Sequence, residues 1–105
     1  MITIPYEKIF CGIPLYGYNW PDTGETAFSG GYSYFIGLTE LYDVEPKRYT
    51  DSKELHFQYT CMTGITWTAV FQDYISTTSK EKVINKYPVG GYCYWYLGIG
   101  DPSYW

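Results

Sequence analysis

The sequence predicts a small α+β domain that combines an antiparallel sheet built on a hairpin with two short helices and two further strands. The hairpin is indicated by alternating apolar and polar side chains in residues 54–62, a turn at residues 63–64 and a return strand at residues 65–73. The further strands are predicted at residues 4–18 and 89–98, with a helix directly before the second. Because a strand, a helix and a strand in this order favour a right-handed crossover, these two strands are expected to lie side by side.

Between the first strand and the hairpin, the chain is predicted to form a loop and a helix. Residues 19–31 carry Pro21, an Asp-Thr-Gly turn and a Ser-Gly-Gly run, which are typical of a loop. Residues 32–42 have apolar side chains at helical spacing, and Pro46 ends this segment. A short strand is expected at residues 48–51.

The last helix is predicted from a capping box, because Thr78 and Glu81 stand three positions apart in front of apolar residues, and Pro88 stops the helix. Asp73 is expected to cap or brace the start of the same helix. The strand at residues 89–98 is aromatic or apolar on both faces, as in parallel sheets. It is therefore expected to be buried on both sides.

The chain has 105 residues and a net charge of −4, so a single domain with no nucleic-acid partner and no membrane partner is expected. Its basic residues are scattered and form no patch that would neutralise phosphates. No apolar run approaches the roughly 20 residues that span a bilayer, and the N-terminus lacks the features of a signal peptide. The chain is therefore expected to be cytoplasmic or cut from an exported protein.

No metal site and no cofactor are predicted. Cys11, Cys61 and Cys93 are an odd number without C-x-x-C spacing, and His56 is the single histidine. The three thiols are expected to be free and largely buried. His56 lies on the polar face of an alternating strand and is expected to be solvated.

Aromatic residues are the unusual feature of the composition, since 14 Tyr, 5 Phe and 4 Trp make up 22% of the chain. Tyr and Trp combine an apolar ring with a polar tip. This composition suits a hydroxyl-rich ligand such as a sugar, and it suits a protein interface equally well.

Three motifs occur in order along the chain. KIFCGIPLYGYNW, at residues 8–20, resembles the seventh barrel strand of glycoside hydrolase family 18, which includes chitinases and the spore-cortex and cell-wall glucosaminidases. VFQD at residues 70–73, followed by Ser76 and Lys80, is similar to the segment that closes the small α+β insertion of that family. GYCYW at residues 91–95 resembles its eighth strand.

The resemblance implies that the chain is about the last quarter of a family 18 TIM barrel. Residues 4–18 would be a barrel strand, residues 19–76 the insertion, and residues 77–98 a helix and the last barrel strand. A closed barrel takes ~250 residues. Exposed strand edges are therefore expected to favour self-association or pairing with the missing remainder of a barrel.

The family's signature, Asp-x-x-Asp-x-Asp-x-Glu, is absent from the sequence, as is the Met-x-Tyr-Asp pattern of its sixth strand. In the family's mechanism that Glu protonates the glycosidic oxygen while the N-acetyl group of the substrate attacks the anomeric carbon. The carboxylates that are present have no recognisable catalytic spacing. No catalytic residue is therefore predicted, and the chain alone is expected to be inactive.

Four aromatic residues are candidates for sugar binding. By the resemblance, Trp95 forms the floor of the sugar subsite at the cleavage point, and Tyr16 lines the groove. Tyr18 and Trp20 follow at the end of the same strand, where barrel active sites collect, with Trp20 at the lip of the groove. The alternative for each is an ordinary packing role in an aromatic-rich core or rim.

The predicted function is that of a C-terminal piece of a family 18 glycosidase. Its parent would act on N-acetylglucosamine-containing glycan, either chitin or peptidoglycan, and would be secreted or associated with the cell wall or spore. The piece would contribute an aromatic wall and no catalytic acid. Two alternatives stay open: a non-catalytic carbohydrate-binding module, and a purely structural oligomer that buries its aromatic side chains between copies.

Overall fold

A computed structural model describes residues 3–96 and 98–104, and these residues form the α+β fold that the sequence predicts. The strands are arranged in two separate sheets, a parallel pair and a five-stranded antiparallel sheet. Helix α1 (Tyr32–Leu41), which was predicted, packs on the larger sheet. Helix α2 (Tyr74–Ile84) connects the larger sheet to the parallel pair along the chain.

The described residues contain seven strands: β1 (Phe10–Pro14), β2 (Gly17–Pro21), β3 (Phe28–Gly30), β4 (Lys47–Arg48), β5 (Leu55–Thr60), β6 (Thr66–Phe71) and β7 (Gly91–Trp95). Strand β1 pairs with β7 in parallel. The larger sheet has the order β3-β2-β6-β5-β4, and each neighbouring pair is antiparallel. Short 3-10 helices, Tyr6–Lys8 and Pro102–Tyr104, precede β1 and follow β7.

The predicted strand at residues 4–18 is wrong as a single element, because the chain forms β1 in the parallel pair and then crosses to the larger sheet as β2. A Cβ atom on Gly17 would lie 2.4 Å from Val70 O, so only glycine lets β2 approach β6 this closely. Alternation of buried and exposed side chains continues through β2 and hides the change of sheet. The predicted loop at residues 19–31 is shorter than expected, because β2 continues to Pro21 and β3 lies within it.

The predicted hairpin is confirmed as β5 and β6, with the turn at Gly64. Its inward side chains and α1 together form the core of the larger sheet. Phe35 of α1 stacks on Phe71 of β6 with ring centroids 5.1 Å apart, and Phe57 meets Phe71 edge to face at 5.9 Å. Each fully buried ring stabilises the fold by roughly 1.5–3 kcal/mol. This half of the molecule therefore has a core of its own.

Helix α2 starts before the predicted capping box. Its N-cap is Asp73, as the sequence predicted: the carboxylate accepts a hydrogen bond from Ser76 N at 3.0 Å, and Ser76 Oγ accepts one from Asp73 N at 3.0 Å. The predicted cap at Thr78 and Glu81 is wrong, because Thr78 lies inside the helix and its hydroxyl donates to a helix carbonyl. The helix begins at the earlier position because Asp73 forms a capping box with Ser76 there.

Arg48 of β4 fixes the same cap from the sheet. Its guanidinium donates to both carboxylate oxygens of Asp73, at 2.8 and 2.7 Å. Burial raises the pKa of Asp73, but the hydrogen bonds from Arg48 and from Ser76 N outweigh burial and hold that pKa below its usual range. Helix α2 ends at Ile84, earlier than the predicted stop at Pro88.

Strand β7 lies beside β1, and the register ends with Pro14 opposite Trp95. The expectation that this strand is buried on both faces is wrong, since Cys93 and Trp95 are exposed. The physical reason is that β1 and β7 form a sheet of two strands within the described residues, so one face has no layer over it. Leu97, which was part of the predicted strand, lies outside the described residues.

Two expectations about single side chains also need correction. The three thiols are free as predicted, but Cys93 is exposed and the other two are half-buried. His56 is half-buried and stacks on Tyr49 with ring centroids 3.9 Å apart, so it is not simply solvated.

Within the described residues, no helix is both long and apolar enough to cross a bilayer. In the same part of the chain, no three His, Cys, Asp or Glu side chains come together to suit a metal ion.

Candidate functional site

The candidate site lies where the parallel strands β1 and β7 end. Pro14 pairs with Trp95 at the last position of the register, and Leu15 N donates to Trp95 O at 2.8 Å. The residues that follow the two strands therefore lie at one edge of the parallel pair. Ligand sites of α/β proteins collect at the carboxyl ends of parallel strands.

Three of the four predicted binding residues meet at this edge. Trp95, Tyr16 and Tyr18 line one open cavity of about 260 Å³. The other residues that line this Trp95 cavity are Ser29, Gly30, Tyr96 and Ile99. Because Ser29 and Gly30 belong to β3, the cavity lies between the parallel pair and one edge of the larger sheet.

The rings in the Trp95 cavity stand at steep angles to one another. Tyr16 and Tyr18 form an edge-to-face pair with centroids 5.6 Å apart. Trp95 and Tyr96, which are joined by a cis peptide bond, have centroids 5.5 Å apart and an interplanar angle of 70°. Trp95 is nevertheless 66% exposed. An indole that a neighbouring ring contacts but does not cover offers apolar surface to a ring-shaped ligand.

Trp20, the fourth predicted residue, lines a neighbouring cleft. This Trp20 cleft has a volume of about 360 Å³ and shares Tyr16 and Tyr18 with the Trp95 cavity. The two tyrosines therefore divide the aromatic surface into a Trp95 side and a Trp20 side. The structure places Trp20 next to the Trp95 cavity and not within it.

Glu54 borders the Trp20 cleft, and the sequence does not single it out. Its carboxylate accepts hydrogen bonds from Gln72 Nε2 and from Lys80 Nζ, the latter at 3.1 Å. Lys80 Nζ and Ser76 Oγ both donate to Gln72 Oε1, at 2.9 and 3.0 Å. The one sequence signal was the motif that contains Gln72 and continues to Ser76 and Lys80. The network holds a carboxylate in place, where it can accept hydrogen bonds from hydroxyl groups.

Asp101 holds the segment that follows β7. Its buried carboxylate accepts hydrogen bonds from Tyr74 N and Ser103 N, both at 2.9 Å. Ile99 O accepts a hydrogen bond from Tyr32 N at 2.8 Å. The segment is thus tied to the first residues of both helices, and these ties position Ile99 in the wall of the Trp95 cavity. No sequence pattern distinguishes Asp101 from the other loop carboxylates.

The opposite face of β7 is attached to α2. Tyr94 OH and Tyr104 OH are 2.8 Å apart, and both donate to the carboxylate of Glu81. Burial and, after it, the hydrogen bond to Glu81 raise the pKa of both hydroxyls. Tyr92 OH donates to Asn85 Oδ1 in the same interface. These tyrosines attach β7 and the segment after it to α2, on the face of β7 opposite Trp95.

The chain is similar to proteins described as cortex-lytic enzymes and as chitinases. It is 29% identical over 107 residues to a cortical fragment-lytic enzyme of Bacillus anthracis, which covers 97% of this chain and 25% of that protein. The spore cortex-lytic enzyme of Bacillus megaterium has a TM-score of 0.85 and 30% identity, covering 97% of this chain and 25% of its own. A chitinase of Chromobacterium violaceum has a TM-score of 0.86 and 27% identity, covering 97% and 32%. No family model matches the chain.

The chain spans about a quarter of the length of the curated relatives it matches, although the match covers nearly all of the chain itself. These relatives confirm the predicted resemblance to chitinase-like and cortex-lytic enzymes. The α+β arrangement of the described residues also recurs within the solved structures of such enzymes.

Proposed function

We propose that the chain is the C-terminal part of a family 18 glycosidase that acts on N-acetylglucosamine-containing glycan of cell walls, such as peptidoglycan or chitin. It contributes an aromatic wall that binds the sugar, and it contributes no catalytic acid. The similarity over 97% of this chain, but only 25% to 32% of the cortex-lytic enzymes and the chitinase, supports the proposal. The chain resembles them throughout, while most of their length has no counterpart in it.

The observation that best supports a sugar-binding role is the exposed Trp95 in one cavity with Tyr16 and Tyr18. A pyranose ring presents C–H groups on its face and hydroxyl groups around its rim. The indole of Trp95 provides an apolar surface for the face, and the tyrosine hydroxyls provide hydrogen-bonding partners for the rim. The position at the carboxyl ends of β1 and β7 is the one that barrel enzymes use for their substrates.

In the whole enzyme, the wall would hold one sugar ring at the cleavage point while a strand from the remainder of the barrel supplies the acid. The described residues that line the Trp95 cavity include no carboxylate. Their contribution to the reaction is orientation, because a ring fixed on the indole presents its glycosidic oxygen to the acid in one geometry. The outer edges of β1 and β7 would pair with the neighbouring strands of that barrel.

We expect N-acetylglucosamine oligomers to change the tryptophan fluorescence of the purified chain. Trp95→Ala should weaken binding by about tenfold or more, because the flat stacking surface is lost. Tyr87→Ala is the control, since Tyr87 is an exposed aromatic residue that does not line the Trp95 cavity. No binding to the original chain, or the same affinity in Trp95→Ala, would contradict the proposal.

Turnover needs a separate measurement. The purified chain should release no reducing ends from chitin or peptidoglycan, because none of the described residues that line the Trp95 cavity carries a carboxylate. Adding a fragment of a cortex-lytic relative from which the quarter that this chain matches has been removed should restore hydrolysis. Robust cleavage by the chain alone would contradict the assignment of the acid to another strand.

A non-catalytic carbohydrate-binding module is the second candidate. It is favoured by the exposed Trp20 in the adjoining cleft, because a binding module uses several rings along a glycan and needs no cleavage point. The complementation experiment separates the two candidates. Sugar binding without restored hydrolysis in any mixture would favour the module.

A further inference from the structure

One face of the five-stranded sheet packs on α1, and within the part of the chain that the structure describes the strand side chains of the other, open face are exposed or half-buried. Two rows of side chains cross the open face, starting from β2. The first row is Tyr18, Val70, His56 and Lys47. The second row is Trp20, Thr68 and Gln58. Residues that are paired across antiparallel strands share a face of the sheet. The first row therefore runs without interruption from Tyr18 to β4, and the second row runs from Trp20 to β5.

At the far end of the first row, Tyr49 lies almost flat on His56. Their ring centroids are 3.9 Å apart and the interplanar angle is 16°. Tyr49 is 39% exposed, as is Trp20 at the start of the track. Directly after β4, the open face is thus bordered by the Tyr49 ring, which His56 holds in position and which remains accessible.

A cavity of about 650 Å³ lies beside this pair and is lined by both rings. Polar groups of several kinds border it. Gln58 Nε2 donates to Thr68 Oγ1 at 3.1 Å, which orients the amide within the wall. Lys47 and Glu45 also line the cavity, and neither takes part in a salt bridge within the part of the chain that the structure describes. An aromatic ring flanked by amide, hydroxyl and charged groups fits a ligand with both apolar C–H surface and hydrogen-bonding groups.

We infer that this Tyr49 cavity is a second glycan-binding subsite, which a long glycan bound at Trp95 reaches by crossing the open face of the sheet. The inference rests on the proposed function, because that function supplies the class of ligand. Strands β2 and β4 are three inter-strand spacings apart, about 14 Å. A single sugar does not bridge that distance, whereas an oligomer of several N-acetylated hexosamine units does. The preferred ligand is therefore an extended glycan chain.

The stack on His56 also has a structural effect, because it braces β4, a strand of two residues. Tyr49→Leu separates the two roles. Leucine keeps apolar contact with His56, but it lacks the flat ring that a sugar would cover. Tyr87→Leu is the matched control, since Tyr87 is an exposed tyrosine outside the sheet.

We would measure binding of the trimer and the hexamer of N-acetylglucosamine by calorimetry. The original chain and Tyr87→Leu should bind the hexamer about fivefold or more tightly than the trimer, as expected for one further stacked ring. Tyr49→Leu should bind both oligomers with the affinity of the trimer. Circular dichroism establishes that the variant is folded. If Tyr49→Leu does not fold, Gln58→Ala, at an exposed position in the same cavity, should show a smaller loss that is again confined to the hexamer.

Equal affinities for the two oligomers in the original chain would overturn the inference. A preference for the hexamer that survives in folded Tyr49→Leu, or in folded Gln58→Ala where that variant is used, would overturn it as well. In these cases the binding of the trimer at Trp95, and with it the proposed function, would stand. If the original chain bound neither oligomer, the proposed function would fail and the second subsite would fail with it.

Discussion

The core-facing side of the five-stranded sheet and the uncovered side of the parallel pair place aromatic residues in opposite environments. On the first of these sides, Phe57 and Phe71 form the core with Phe35 of α1, and all three are at most 5% exposed. In the parallel pair, Trp95 is 66% exposed, although its strand is as rich in aromatic residues. The three phenylalanine rings lie between their sheet and α1, whereas Trp95 lies on the face of the parallel pair that no layer covers within the described residues. An aromatic residue is thus assigned to core or site by the layers around it, and residue type alone does not decide.

The parallel pair depends on its connections to the rest of the molecule. A sheet of two strands is marginally stable by itself. Here β7 is joined to α2 through Tyr94 and Glu81, and the segment after it is held by Asp101. These contacts make the exposed face of Trp95 compatible with a folded chain.

Phe71→Ala and Trp95→Ala test this contrast most strongly. Loss of the Phe71 ring should lower the free energy of unfolding by about 3–5 kcal/mol, because it leaves a cavity in the only core of the larger sheet that the structure describes. Trp95→Ala should lower it by less than about 0.5 kcal/mol, as is usual for an exposed side chain. Urea unfolding followed by circular dichroism measures both. Similar losses in the two variants would break the distinction between core and site.

Asp73 stands at the junction between the two regions, where β6 ends and α2 begins. Asp73→Ala should destabilise the chain by about 2–3 kcal/mol at neutral pH, since the helix loses its cap and Arg48 loses its partner. Asp22→Ala, at an exposed position, should have little effect.

The effect of Asp73→Ala should depend on pH in a defined direction. Ionised Asp73 stabilises the fold fully above the ordinary aspartate pKa of about 3.9, and this contribution is lost as the pH falls through the lowered pKa of the folded state. The difference in stability between the original chain and the variant should therefore shrink progressively below about pH 4. A difference that stays constant from neutral to strongly acidic pH would mean that the carboxylate charge is unimportant.

Tyr94→Phe tests how far the parallel pair depends on α2, since it weakens the attachment of β7 to that helix. Its effect on the free energy of unfolding should be smaller than that of Phe71→Ala or Asp73→Ala. The loss of one hydrogen bond to a carboxylate should cost about 1–2 kcal/mol. The raised pKa of Tyr94 means that its neutral form is favoured in the folded state, so its contribution is complete below about pH 10 and is lost as the pH rises further. Tyr94→Phe should therefore lose less stability than the original chain above that pH. Unfolding midpoints at neutral and alkaline pH, with Tyr87→Phe as control, measure this difference.

Local patterns were sufficient for much of the fold. Alternation predicted β5 and β6, and apolar spacing predicted α1. The change of sheet before Gly17 was missed, because buried and exposed side chains keep alternating while the chain leaves one sheet for the other. The start of α2 was misplaced because Thr78 and Glu81 match a capping pattern, while the cap at Asp73 gains support from Arg48, 25 residues earlier in the chain.

Some residues of the candidate site were predicted from the sequence and others were missed. The resemblance to family 18 pointed to Trp95 and Tyr16, and the end of the predicted strand pointed to Tyr18. The structure brings these three together in one cavity. Glu54 was missed because its fixed position depends on Gln72, 18 residues away, and on Lys80 in α2. The Tyr49 cavity was missed for a similar reason, since its residues come from the segment around β4 and from β5 and β6.

Neighbouring residues along the chain were enough to establish which segments form strands and helices, because alternation and helical spacing depend on side chains only a few positions apart. The composition was enough to establish that aromatic rings dominate the molecule. Which of these rings are covered depends on the assembled sheets. The separation of Trp95 from Trp20 and the stacking of Tyr49 on His56 arise only when distant segments meet, because burial is a property of the layers that surround a side chain and not of its neighbours in sequence.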